Sequence, residues 1–63
     1  MPKVEFVNFD DPFLELKYDG QNYVYNPEYG TLLSVKTDKI VDMPKEVQDY
    51  IERYYAVRES IGI

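Results

Sequence analysis

Six carboxylates, Asp10, Asp11, Asp38, Asp42, Glu46 and Asp49, have the side-chain type for shared-proton chemistry. Such a pair works only when burial and proximity separate its two pKa values inside a defined cleft, which a small domain rarely encloses. Their surroundings read instead as turns, caps and solvated helix surface. Histidine and cysteine are both absent, which removes the usual proton shuttle, the thiolate nucleophile and the soft metal ligands. No acidic loop has the Asp-x-Asp-x-Asp-Gly spacing of a calcium site. The residues therefore predict no catalytic centre, no cofactor and no metal site.

Tyrosine offers chemistry of a different kind, since its ring is rigid and apolar and its hydroxyl remains polar. There are seven in 63 residues. Tyr23, Tyr25, Tyr50 and Tyr54 are expected to pack a sheet against a helix, with hydroxyls at the rim. Tyr29, at a turn tip, and Tyr55, at the edge of the helical stripe, are harder to bury. Arg58 lies near the middle of the same stripe, where a cation suits a helix C-terminus and its stem can snorkel. Beside Tyr54 and Tyr55 it also has the composition of an interface hot spot. The expected partner-binding residues are Tyr29, Tyr54, Tyr55 and Arg58.

Two halves of the chain must position these groups: alternating hydrophobicity early, helical periodicity late. Residues 3–9 read as a strand with Phe6 inward, leaving open whether Val7 or Phe9 joins it. Pro12 ends that strand, because it cannot donate a ladder hydrogen bond and pushes Asp11 out of helical space. Residues 13–18 and 21–26 form a hairpin about Asp19-Gly20, a pair that tolerates the positive φ of a two-residue type I′ turn. The register then sets Leu16 against Tyr23 and Leu14 against Tyr25, with Glu15 opposite Val24 on the other face.

Asn26-Pro27-Glu28-Tyr29-Gly30 is the next turn, with Asn26 as cap and Gly30 as its left-handed residue. A strand over 31–36 follows. A bulge at Gly30 would turn Leu33 and Val35 toward the tyrosine face; without one, Leu32 and Ser34 go there. The bulge is the expectation, because it buries two branched side chains. The segment 37–42 is a polar connection with a short extended apolar pair. A helix over about 44–60 begins near Pro44, buries Val47, Tyr50, Ile51, Tyr54, Val57 and Ile61, and stops at Gly62. The single domain, 1–63, is thus an α+β fold: a three- to four-stranded antiparallel meander packed against one C-terminal amphipathic helix.

The stretch Asp19-Gly20-Gln21-Asn22-Tyr23-Val24-Tyr25-Asn26-Pro27-Glu28-Tyr29-Gly30 resembles the second strand and flanking turns of WW domains. That family stacks proline-rich ligands on a tryptophan. Here Ser34 stands at the corresponding place and the chain has no tryptophan, so the resemblance implies turn geometry and no proline-rich groove.

A net charge of −5 opposes binding to nucleic-acid phosphates, which needs clustered Lys and Arg. No apolar run approaches the ~20 residues of a membrane span. The absence of cysteine and of an apolar leader at the N-terminus points to a cytoplasmic location. A chain this short buries only about 60% of its unfolded surface, so packing by aromatics or self-association must help. The function expected is a small acidic, non-enzymatic protein-interaction module that binds a protein partner or a second copy as a homodimer through its tyrosine-rich surface. Acidic microproteins of this kind are common in viral and phage genomes. The alternative is an acidic nucleic-acid mimic that blocks a basic DNA-binding or nuclease protein by charge.

Overall fold

The computed structural model describes residues 3–61, without the side chains of the last two of these. Five strands, β1 (Val4–Asp10), β2 (Phe13–Tyr18), β3 (Gln21–Asn26), β4 (Thr31–Ser34) and β5 (Lys39–Val41), precede one helix, α1 (Lys45–Ile61). The strands form one antiparallel sheet in chain order, so every connection is a hairpin. This is the expected α+β meander with one strand more: the extended pair Ile40-Val41 joins β4 as an edge strand. The expected helix stop at Gly62 and the burial of Ile61 lie outside what is described.

The Asp19-Gly20 turn sets the register anticipated for it. Tyr18 faces Gln21, Leu16 faces Tyr23 and Leu14 faces Tyr25, with φ of 52° and 77° at the two turn residues. Across β1 the register shifts between Phe6 and Asn8, which leaves Val7 as an extra residue. That bulge sets Phe6 opposite Leu16 and Phe9 opposite Leu14, so both rings share the helix side and Val7 turns away.

The β3–β4 register departs from expectation. Tyr25 pairs with Leu32 and Tyr23 with Ser34, so Leu32 and Ser34 are buried, whereas Leu33 is half-buried on the outer face and Val35 is exposed. The strand ends at Ser34 rather than Lys36. The physical reason lies in the turn. Gly30 has φ of 67° and its N–H donates to the carbonyl of Asn26 at 2.8 Å, while Asn26 Oδ1 accepts from the N–H of Glu28 at 2.9 Å. The left-handed glycine closes a four-residue loop and leaves no bulge in the strand. The β4–β5 loop repeats this geometry: the Asp38 N–H donates to the Ser34 carbonyl at 2.8 Å, and Asp38 has φ of 57°. Ser34, turned inward by its pairing with Tyr23, starts this loop, and its Oγ accepts from the N–H of Thr37 at 3.4 Å.

The core is small. Leu14, Leu16, Leu32, Val47 and Ile51 are its buried members, with tyrosines, Val4, Phe9, Val41 and Met43 packed round them. Pro44 precedes the helix and its carbonyl accepts from the Gln48 N–H at 3.0 Å, the role of an N-cap carbonyl. Tyr18 Oη donates to Glu46 Oε2 at 3.1 Å and ties the first helical turn to the end of β2.

At about 100° per residue, Tyr55 and Val57 lie about 80° to either side of Val47, so either margin of the stripe could be buried. The helix rolls toward Tyr55. Val57, expected in the buried stripe, is 56% exposed instead. The larger ring removes more apolar surface from water, and that decides the roll.

Candidate functional site

The sheet has two apolar faces. Its inner face carries the core. On its outer face the pairings Glu15–Val24, Val24–Leu33 and Leu33–Ile40 run as one cross-strand row over β2 to β5. Phe13 precedes inward Leu14 and so points outward beside that row, because neighbouring residues on a strand face opposite ways. Ile40 is 66% exposed and Tyr29, at its turn tip, 74%. Phe13, Val24, Tyr29, Leu33 and Ile40, with Asn26 and Thr31, line an open concavity of about 230 Å³. No charged side chain contributes to it.

A second exposed aromatic surface lies where α1 crosses β1. Phe6 stacks on Tyr54 at 5.8 Å between ring centroids and 18° between planes. Phe9 packs against Tyr54 at 5.9 Å and edge-on against Tyr55 at 6.4 Å. Tyr54 and Tyr55 are themselves perpendicular, at 5.5 Å and 89°. The guanidinium of Arg58 sits over the Phe9 ring at 4.1 Å, with Tyr54 at 5.9 Å, a cation–π arrangement that fastens the last turns of the helix to β1.

Of the partner-binding residues expected from sequence, Tyr54, Tyr55 and Arg58 thus meet in one cluster, and Tyr29 stands apart on the outer sheet face. Tyr55, expected at an exposed margin, is half-buried against Phe9 and Tyr25, and its hydroxyl is enclosed without a hydrogen-bond partner among the described residues. The residues that the sequence did not single out are Phe13, Val24, Leu33 and Ile40. Their signal was the Asp19-Gly20 register, which already places Val24 outward. It needed the unbulged β4 register to add Leu33 and Ile40.

Burial pushes the Tyr50 and Tyr55 phenols above their ordinary value, with neighbouring tyrosines adding to both shifts. Tyr18 is raised as well, first by burial and then by the hydrogen bond it donates to Glu46. All three favour the neutral form in the native state. Their contribution to stability is therefore complete below the unfolded pKa of about 10 and is lost as pH rises through the folded values. Denaturant titrations followed by circular dichroism should show stability falling steeply above about pH 10. Tyr50→Phe and Tyr55→Phe should each flatten that fall, and an unchanged pH profile in both would contradict the assignment.

The helix's solvent side carries Glu46, Asp49, Glu52 and Glu59, all exposed. Asp49, Glu52 and Arg53 line one shallow depression there, and Lys3, Glu46, Asp49 and Arg53 contribute to another, so both mix charge signs. Among the described residues no group of three or more acidic side chains could hold a metal ion. No helix among the described residues is long and apolar enough to cross a membrane. No family model, curated protein or solved structure matches the chain.

Proposed function

We propose that this chain is a non-enzymatic protein-interaction module that binds through the outer face of its sheet. The observation that carries the reading is the apolar row Val24–Leu33–Ile40, flanked by Phe13 and Tyr29, in an uncharged concavity on a chain of net charge −5. Interface cores are depleted of charge and enriched in aromatics, and contiguous exposed apolar patches on small soluble domains mark binding sites. The lining offers a single titratable group, the Tyr29 phenol, which supports binding over catalysis. Tyr54 and Arg58 hold the helix to β1 in this reading, and Tyr29 is the tyrosine that meets the partner. A cytoplasmic location fits the cysteine-free composition.

A photo-crosslinking residue at Ile40, introduced in the cell of origin, should trap a protein, and adding Leu33→Glu should abolish the product. The same probe at Glu52 should trap none. Capture at Glu52 with none at Ile40 would overturn the reading. It would favour the nucleic-acid mimic, above all if the captured protein were basic and binding weakened steeply with salt. Arg53, which lines one depression with Asp49 and Glu52, interrupts the negative surface that such a mimic requires.

A further inference from the structure

We infer that the occupant of the outer sheet face is a second copy of this chain, packed sheet on sheet about a two-fold axis parallel to β4. The inference rests on the proposed role of that face as the binding surface. Its first support is the arrangement of charge. An axis along β4 lays Leu33 of one copy against Leu33 of the other and Val24 against Ile40. Glu15 and Lys17 on β2 then fall beyond the other copy's β5, in water. A two-fold axis along the cross-strand row would instead set Glu15 against Glu15, a juxtaposition of like charges that opposes pairing. The face is self-complementary in one orientation and repulsive in the other.

Its second support is the small core of one copy, in a molecule only 18 Å along its shortest axis, in keeping with a single helix laid on one sheet. With the axis along β4 the overlap takes in β3, β4 and β5 of each copy. Two sheets stacked at the usual spacing of about 10 Å would convert the half-buried Val24 and Leu33 into a second core between two helices. The buried core of one copy, five side chains among the described residues, gives that addition its thermodynamic purpose, because chains near this length are marginal alone. A second copy is also present wherever the chain is made, and binding only to the folded form adds to stability by mass action.

The net charge of −5 on each copy opposes the pairing at long range. Added salt screens that repulsion and leaves apolar burial intact, so the dimer tightens with ionic strength, opposite to the behaviour of a charge-driven complex. Sedimentation velocity on the full chain from about 1 to 100 µM should show a dimer that grows with concentration and with salt. Leu33→Glu puts two carboxylates together at the axis and should weaken self-association on the order of 100-fold or more. Ile40→Lys, at a side chain already mostly exposed, should do the same with the native circular dichroism spectrum retained. A chain that stays monomeric at 100 µM in 0.5 M salt, about 0.4 nm in screening length, overturns the inference. So does a dimer that neither substitution weakens. A monomer whose Ile40 probe traps another protein sinks the homodimer and leaves the interaction surface standing; a monomer that traps nothing removes both.

Discussion

Leu32→Ala is expected to lower the unfolding free energy by about 2–4 kcal/mol, and Leu33→Ala by less than about 1 kcal/mol. The two leucines are adjacent in sequence and identical in chemistry, and only the register of β4 separates them. Leu32 faces Tyr25 and is 2% exposed, whereas Leu33 lies half-buried on the outer face. Removing the Leu32 side chain leaves a cavity beside Leu14, Leu16, Val47 and Ile51, with little slack to absorb it. For a domain whose total stability is of order 5 kcal/mol, a loss at the upper end of that range unfolds a visible fraction at room temperature. Urea titrations at dilution, below the onset of self-association, measure both effects. A larger loss for Leu33 would mean that the strand carries a bulge at Gly30 and that the outer face is not the one described.

The same pair of residues shows how far the sequence could be read. At Asp19-Gly20 two consecutive positive φ angles admit one common hairpin turn, so the β2–β3 register followed directly. At Gly30 one left-handed residue is compatible with a bulge and with the end of a four-residue loop. Hydrophobic burial favoured the bulge, because it takes in Leu33 and Val35. The loop prevails because its hydrogen bonds, Gly30 N–H to the Asn26 carbonyl and Glu28 N–H to Asn26 Oδ1, already satisfy the turn without one. Ser34 then goes inward and helps start the next loop, which repeats the arrangement with Asp38 in the left-handed position.

The outer apolar face was hidden by the same mistake. A sheet with one wet face reads as strict alternation, and Glu15 and Lys17 on β2 fit that pattern. Val24, Leu33 and Ile40 line up only once β4 and β5 are in register, and β5 is three residues long. The bulge at Val7 was equally illegible, since Phe6 and Phe9 share a face only if an extra residue stands between their pairs. The meander, the turns and the helix were legible because each depends on local chemistry. What depends on cross-strand alignment was not.

The second large effect concerns Tyr55. Tyr55→Ala should cost about 2–3 kcal/mol, below the full range for a buried aromatic because the residue is only half-buried. It removes the ring that meets Phe9, Tyr25 and Tyr54 and that sets the roll of the helix. Tyr55→Phe should be neutral or raise stability by up to about 1 kcal/mol, because it deletes an enclosed hydroxyl that has no hydrogen-bond partner. Thermal and chemical denaturation of the two variants separate ring from hydroxyl. A loss above about 1 kcal/mol for the phenylalanine variant would show that the hydroxyl is bonded in solution, and the helix packing would then need revision.

The central claim is that binding occurs on the outer sheet face and not on the aromatic seam between α1 and β1. Backbone and methyl NMR spectra, recorded for the free chain and for the chain bound to a second copy or to the crosslinked protein, test it residue by residue. Shifts should concentrate at Val24, Tyr29, Leu33 and Ile40, with Tyr54, Arg58 and Glu52 unmoved. Shifts centred on Phe6, Tyr54 and Arg58, or along the acidic side of the helix, would contradict it.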